Sequence, residues 1–589
     1  MRLYENLDLL RNRIDLEHIP FTERGSRMLV MKNSRGLMIR LVERWIKIDP
    51  RLSGYRLRPP IVEGLCFTDA DGNELQAILE SYPHRLNFYT QLGEFTVTFT
   101  DTETLLFALP ENACGIKFRM HVDQGVTDRH GGVLRKTGDI RRNLAYTTNR
   151  ALKTNLIQLV EPDLLEVSMT FTPGMHSGLL INLTPRLGFN RYIPDVEAAF
   201  EESARRWETW FSAAPQVAVP FRRQYLYAWW VMRAGLISSR YFITREAMTP
   251  SKIHYVGVWQ WDAFFHALAY RHIDRKLAQD QIRVMTDHQR ADGMLPDAIH
   301  DEGDITHLTV PVDADVTKPP MLGWVLWKLY QTDGDREFLE EMYEPVVRWN
   351  NWWLENCDTD GDGLCEYLHP FSSGLDDNPT WDGGMPVTAP DLNTYLVMQM
   401  ECLGRIARVI GLSGEADDWE QRAQAHLQRM IASLWDEKAG LFRAKRNGET
   451  IPVLTPINLF PLITGRLPDE IAAQLVEHLT DPAEFWTKYP IPSVAANDPL
   501  YNPMQMWRGP TWINVNYMMI EGLERSGYPV VARELRRRTL DLVMQHSDIY
   551  EFYHPQSSEP GTNAATMFGW SAALFIDLAL DASRDTQIP

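Results

Sequence analysis

A chain of 589 residues with a formal net charge of −19 exceeds the roughly 250–300 residues at which a single core stops growing, so two domains are expected, one of them large. The acidity argues against nucleic acid or an anionic membrane surface as partner, because both attract Lys/Arg-rich faces. No run approaches the roughly 18 apolar residues of a spanning helix, and the start Met1-Arg-Leu-Tyr-Glu-Asn lacks the order of a signal peptide. Cys66, Cys114, Cys357, Cys365 and Cys402 are odd in number and form no C-x-x-C pair, which predicts reduced thiols and a cytoplasmic protein. Oligomeric state is not legible.

The first 192 residues read as short β-prone segments: Met28-Leu-Val-Met, Leu37-Met-Ile-Arg-Leu-Val, Phe95-Thr-Val-Thr-Phe, Leu164 to Phe171 and Gly178-Leu-Leu-Ile-Asn-Leu. Turn signals such as Asp71-Gly-Asn and Pro173-Gly separate them, which predicts an N-terminal β-sandwich over 1–192. Tryptophan marks the change of material. Only Trp45 precedes residue 200, and the other eighteen lie between Trp207 and Trp570.

From about residue 193 the period becomes helical. A linker helix is expected over 193–214, followed over 215–589 by amphipathic segments near 220–240, 261–273, 275–291, 318–331, 335–356, 388–410, 415–435, 467–480, 510–526, 529–546 and 562–581, with a weaker one near 455–463. Thr388-Ala-Pro-Asp391 has the form of a capping box, and Gly411 stops that helix. Helices paired in series around one core make a toroid of six hairpins, an (α/α)6 barrel, and no short-period repeat favours an open solenoid.

The irregular segments between helices carry the unusual residues. Asp376 lies in the Pro- and Gly-framed loop Phe371 to Pro379, and Glu551 in Tyr550-Glu-Phe-Tyr-His-Pro555, both among aromatics of the kind that line sugar pockets. Trp259-Gln260-Trp261-Asp262 opens a helix, where Asp262 can either satisfy the first-turn amides or bind a sugar hydroxyl. Phe265 and Leu268 read as core. Trp507-Arg508 before Pro510 reads either as a stacking platform beside a clamp or as a buried Arg paired with a structural acid, and the platform is the expectation taken forward.

Taken in order, Trp259-Gln-Trp-Asp262, Ser373-Gly-Leu-Asp-Asp-Asn-Pro379, Trp507-Arg-Gly-Pro510, Glu551-Phe-Tyr-His-Pro555 and Phe568-Gly-Trp-Ser571 resemble glycoside hydrolase family 63. That family includes processing α-glucosidases and mannosylglycerate hydrolases and is related to the trehalases of family 37. The resemblance spans about 215–581 and implies an (α/α)6 barrel acting with inversion, Asp376 as general acid and Glu551 as general base. Asp377 competes with Asp376 for the acid's place. Trp259, Gln260, Trp261, Asp262, Asp377, Trp381, Trp507, Arg508 and Trp570 are the expected substrate contacts.

Inversion requires a protonated carboxyl on the leaving oxygen and an ionised carboxylate holding water on the opposite face, about 6.5–9.5 Å apart. An Asp half protonated near pH 6 needs a shift of roughly two units, about 2.7 kcal/mol, which burial and repulsion from Asp377 both favour. Tyr550, Tyr553 and His554 offer Glu551 polar neighbours. No cofactor is required for that chemistry. The turn Asp358-Thr-Asp360-Gly-Asp362-Gly-Leu364-Cys-Glu366 begins like a calcium loop but has His369 where an EF-hand places Glu. It is therefore a candidate for structural calcium held by Asp358, Asp360, Asp362, Glu366 and the Leu364 carbonyl. The acidic stretch 292–318 disfavours a charged aglycone, so the expected substrate is a small carbohydrate, a terminal α-glucosyl unit on a neutral aglycone, ahead of glucosyl- or mannosylglycerate and then trehalose. A lyase, an epimerase or an inactive sugar-binding protein are the readings of another class.

Overall fold

The computed structural model describes residues 4–44, 58–137 and 142–585. Two compact units make it up. One comprises Met1–Ala214, Arg233–Ser238 and Lys252–Val256, and the other Pro215–Met232, Ser239–Ser251 and Gly257–Pro589.

The first unit contains two antiparallel sheets. The six-stranded sheet runs Met28–Asn33, Gly36–Leu41, Val62–Thr68, Cys114–His121, Leu164–Phe171, Leu152–Glu161 in spatial order. The eight-stranded sheet runs Ile78–Ser81, Leu86–Thr90, Gly93–Asp101, Thr104–Ala108, Gly178–Thr184, Arg142–Thr148, Gly131–Lys136, Gln124–Asp128. Rings from the two sheets meet in the core, with Phe67 centred 5.1 Å from Phe88 and 4.2 Å from Phe95, and Phe118 at 6.0 Å from Tyr146. Helix α1 (Glu5–Leu9) precedes the strands and α2 (Val196–Ala213) follows them. The helix expected as a linker packs within this unit: Asp195 caps it through the Ala198 amide, and Val196, Trp207, Trp210 and Phe211 are buried.

The second unit is helical. After α3 (Arg222–Ala234) come α4 (Gln260–Tyr270), α5 (Arg275–Thr286), α6 (Leu322–Asp333), α7 (Arg336–Asn356), α8 (Pro390–Ile410), α9 (Ser413–Leu434), α10 (Asp469–Thr480), α11 (Ile513–Arg525), α12 (Pro529–Val543) and α13 (Gly569–Asp585). Helix α4 neighbours α6, α6 neighbours α8, α8 neighbours the 3-10 turn Phe460–Thr464, that turn neighbours α11, and α11 neighbours α13, which returns to α4. Helices α5, α9 and α12 back onto α4, α8 and α11. Burial follows this arrangement. Every residue of α4 is buried, as suits a helix surrounded by protein, whereas α7, α9 and α12 bury one stripe each.

The sequence reading needs correcting at several element ends. The helix expected over 220–240 ends at Ala234, before Gly235, and that over 562–581 begins only at Gly569, because 562–568 forms a loop against Glu551 and Asp548. Pro456 and Pro461 keep 455–463 in 3-10 turns. The expected capping box does not form. Ala389 is the N-cap of α8 without a side-chain bond, and Asp391 is instead buried against the Tyr367 hydroxyl at 3.0 Å. Gly411 does stop α8, in the left-handed conformation.

An ionic cluster ties three of these helices. Asp577 on α13 accepts from Arg271, which follows α4, at 2.8 and 3.0 Å, contacts His272 at 2.7 Å, and accepts from the Tyr517 hydroxyl of α11 at 2.5 Å. Burial alone would raise the Asp577 carboxyl, but Arg271 and His272 outweigh it and hold the group well below the usual carboxylate range. A depressed carboxylate contributes stability above its unfolded pKa, near 3.9, and loses it as pH falls through the folded value. Asp577→Asn should therefore cost about 3–5 kcal/mol at pH 7, because it strands buried cations, and should flatten the acid-side loss of stability. Urea unfolding at pH 7 and pH 3 measures both, and equal midpoints at pH 7 would refute the role.

Candidate active site

Chain pairing brings distant carboxylates together. Trp259 pairs with Ala298 in a short antiparallel ladder, and the Gln260 amide donates to the Asp297 carbonyl at 3.0 Å. The first turn of α4, with Asp262, is thus held beside Asp297. Gln260 is fully buried, and its Oε1 accepts from the Lys318 amide at 2.7 Å. The Lys318 ammonium then lies 2.9 Å from Asp297 Oδ1 and 3.8 Å from Asp376 Oδ1, and donates to the Phe371 carbonyl at 2.6 Å.

The loop that presents Asp376 is locked by its own side chains. Ser373 Oγ donates to the Pro370 carbonyl and accepts from the Leu375 amide. Asn378 Nδ2 donates to the carbonyls of Ser493 and Trp507, each at 3.1 Å, and Trp381 Nε1 donates to the Leu375 carbonyl at 2.8 Å. Gly374 turns the chain at φ 74°, directly over Trp261. Of the adjacent acids, Asp377 is engaged: Oδ1 accepts from the Trp507 amide at 2.8 Å and Oδ2 from Gln505 Nε2 at 3.2 Å. Asp376 Oδ1 has no hydrogen-bond donor, although the side chain keeps 31% of its surface exposed. Burial beneath the loop pushes Asp376 up to about 7, with Asp297 and Asp377 reinforcing the rise and Lys318 opposing it.

Glu551 is 3% exposed and sits in a different environment. Its amide donates to the Ala565 carbonyl at 3.0 Å, and its Oε2 accepts from the Ala565 amide at 3.1 Å. The hydroxyl of Tyr553 accepts instead from the Tyr550 amide, and His554 Nδ1 from the amides of Gln556 and Ser557. Asp262 also senses Glu551. Burial raises its carboxyl well above the usual range, Lys318 opposes this, and Glu551 and Asp297 add to it.

The aromatic residues form a continuous layer. Trp261 lies 5.2 Å from Trp570 and 6.3 Å from Trp507. Trp507 is 1% exposed and stacks flat on Trp512 at 3.6 Å and 4°, so the expected platform already has a protein ring on one face. Arg508 pairs with Asp382 and donates to the Asp377 carbonyl at 3.1 Å, which makes it a structural partner of the acid loop rather than a free clamp. Trp259 is 7% exposed, with its ring at 5.3 Å from His300, and Trp381 is 6% exposed. Lys318 and Trp512 were not singled out by sequence. Lys318 is one charge before Pro-Pro, a position without a helical or catalytic signature.

In the acidic turn, carboxylate oxygens of Asp358, Asp360 and Asp362 lie within 4.8 Å of one another. Asp358 Oδ1 is buried without a hydrogen-bond partner, which suits a cation among them. Glu366 does not join this group. Its Oε2 accepts from the amide and hydroxyl of Thr359 at 2.7 and 2.6 Å.

Residues 255–571 match the family described as the mannosylglycerate hydrolase MGH1-like glycoside hydrolase domain. The chain belongs to this family of glycoside hydrolases, within family 63. The mannosylglycerate hydrolase of Thermus thermophilus is 26% identical over 410 residues, which is 56% of this chain and 96% of that protein. A solved Thermus thermophilus family 63 mannosylglycerate hydrolase in complex with glucose shares the fold at 24% identity and TM-score 0.52, covering 60% of this chain and 98% of the other. A bacterial glucoamylase complexed with acarbose is similar in fold over 95% of this chain and 94% of its own, with TM-score 0.60 and 11% identity. The MGH1-like match encloses Trp259, Asp376, Glu551 and Trp570, the whole span over which the site residues lie.

A β-carbon on Gly374 would lie 2.2 Å from Trp261 Cη2, and its φ is one that L-residues avoid. Gly374→Ala should therefore cost about 2–4 kcal/mol, the sum of left-handed strain and overpacking. Hydrolysis should be lost with it, since the ring and the acid loop cannot both stay in place. Urea unfolding with unchanged midpoint would exclude this account.

Proposed function

We propose that the protein is an inverting, exo-acting hydrolase of a terminal α-glucosyl unit on a neutral aglycone. Its helical unit would close as an (α/α)6 barrel. Asp376 protonates the leaving oxygen, and Glu551 draws a proton from the attacking water. The observation that carries the assignment is the contrast between the two neighbouring acids: Asp377 is spent on the Trp507 amide and Gln505, while Asp376 has no hydrogen-bond donor on Oδ1 and is pushed up to about 7. A general acid needs its proton near the working pH. One oxygen of Glu551 is held by the Ala565 amide, which fixes the carboxyl for the role of base.

The aglycone follows from where the cations are spent. Lys318 pairs with Asp297, Arg508 with Asp382, Arg240 with Asp301, Arg290 with Asp292 and Asp315, and His307 with Asp313 and Asp315. A carboxylate aglycone would have to compete with those acids, which favours a neutral one. Glycosylglycerate is the second reading, supported by the similarity to a mannosylglycerate hydrolase. Monosaccharide release from α-linked disaccharides, glucosylglycerate and mannosylglycerate separates the two. The five free thiols, four of them buried, support a reducing compartment, and among the described residues no helix is long and apolar enough to cross a membrane.

Water attack is a single displacement, so proton NMR of the first turnovers of an α-glucoside should show the β-anomer ahead of mutarotation. Asp376→Asn should lower kcat by about 10²–10⁴, Asp377→Asn far less, since Asn keeps an acceptor for the Trp507 amide. Glu551→Gln should abolish the product without trapping a covalent adduct. Early α-anomer, or a larger loss at Asp377, would overturn the roles.

The acidic turn we assign to structural calcium, held by Asp358, Asp360 and Asp362 with backbone carbonyl and water completing six to eight oxygens. Chelation should lower the melting temperature, because a ligand bound by the native state alone stabilises it by mass action, while activity in the cold should persist. An unchanged melting curve with no metal on elemental analysis would refute the assignment.

A further inference from the structure

Among the described residues, Lys318 is the cation that bears on Asp376. It enters from the segment before α6, is 4% exposed, and is anchored at both ends: its amide on Gln260 Oε1, its ammonium on the Phe371 carbonyl and Asp297. An ammonium has three donors. One is given to the Phe371 carbonyl, Asp297 Oδ1 is ion-paired at 2.9 Å, and Asp376 Oδ1, which accepts no hydrogen bond, stands 3.8 Å away. A movement of about 1 Å would make that contact a hydrogen bond.

This matters because of what happens to Asp376 in the reaction assigned above. As the glycosidic bond breaks, the proton passes from the carboxyl to the leaving oxygen, whose bonding pair it receives, and a carboxylate remains in a site already rich in acids. Asp377 faces it from its own loop and Asp297 from the segment before the 298–300 strand, while Asp262 of α4 shares Lys318 and Asp297 with it and also senses Glu551. Lys318 is the charge that offsets them. We propose that Lys318 is the positioning residue of this acid: it holds the Asp376 carboxyl in its loop and steadies the carboxylate left when the proton has gone. This rests on the reading of Asp376 as the proton donor.

Two substitutions of opposite sign test it. Removing the ammonium with Lys318→Gln should make Asp376 hold its proton more tightly, moving the alkaline limb of kcat/KM for an aryl α-glucoside up by about 1–3 pH units and lowering kcat at least about tenfold. Lys318→Arg should restore the wild-type limb in part. Asp297→Asn removes a repelling charge and frees Lys318 for Asp376, so the limb should move down. A role in packing alone would lower activity in both variants with the limb unmoved, and that result would overturn the proposal. Should Lys318→Gln fail to fold, Asp297→Asn carries the test by its sign.

A second readout needs no turnover. A carboxyl whose folded pKa is raised contributes stability below its unfolded pKa, near 3.9, and loses it as pH rises to the folded value. The melting-temperature gain from Asp376→Asn should thus grow from about pH 4 and level off near the folded pKa, at about 7 in the wild-type background. The levelling point should move up in the Lys318→Gln background and down in the Asp297→Asn background. Identical levelling points in all three would refute the positioning role. Shifted points in a protein that cleaves no α-glucoside would support it and count against the α-glucosyl substrate alone.

Discussion

Between Asn502 and Trp512 the chain is hydrogen-bonded to both acid-bearing loops at once, and their separation depends on it. Toward Asp376, the Trp507 amide binds Asp377 Oδ1, the Trp507 carbonyl binds Asn378, and Arg508 reaches the Asp377 carbonyl. Toward Glu551, the amide and carbonyl of Thr511 pair with those of Tyr553, and the Met504 carbonyl accepts from the Thr562 amide at 2.8 Å. Trp507 and Trp512 stack within the same segment, so its two ends cannot move independently. On the proposed mechanism, water enters between two carboxylates that must be held apart within a fraction of an ångström. The segment is bonded to the Asp376 loop through the side chains of Asp377, Asn378 and Arg508 and to the Glu551 loop through main chain, so one stretch of chain ties both.

With positions set by that segment, unlike electrostatics follow from unlike neighbours. Asp376 lies beside Asp297 and Asp377, its Oδ1 accepts no hydrogen bond, and burial with those neighbouring acids pushes its carboxyl up. Glu551 has a main-chain amide on its carboxylate. Asp377 shows how small the difference in placement can be: one residue along the chain, it too is raised by burial, but the Trp507 amide and Gln505 oppose the rise.

The helices were legible in sequence and much of the site chemistry was not, for a physical reason. Helix periodicity is imposed by a buried face many residues long, so α8 and α9 can be read from their apolar spacing alone. A loop's conformation is decided by partners far along the chain. Trp507 next to Arg508 looks like a platform until Trp512 covers the indole and Asp382 takes the guanidinium. Thr388-Ala-Pro-Asp391 looks like a capping box until Tyr367, from another segment, claims Asp391. Glu366 fits a calcium loop by position, yet Thr359 binds it. Asp376 and Glu551 could be picked out because Gly and Pro framing removes them from any helix face, but which neighbours they would meet, Lys318 above all, was not encoded locally.

The strongest packing and the chemistry lie at different places on the same helices. Asp577, Arg271, His272 and Tyr517 satisfy one another with charge-assisted bonds near the C-terminal part of α4 and within α11 and α13. Asp262, Lys318 and Asp376, linked to the N-terminal turn of α4, keep a buried acid raised and an oxygen without a donor. A buried carboxyl oxygen without a donor costs free energy that a hydrogen bond would recover. Hydrogen bonds to both oxygens would favour the ionised form of Asp376, so the open oxygen is what the proposed role of proton donor requires.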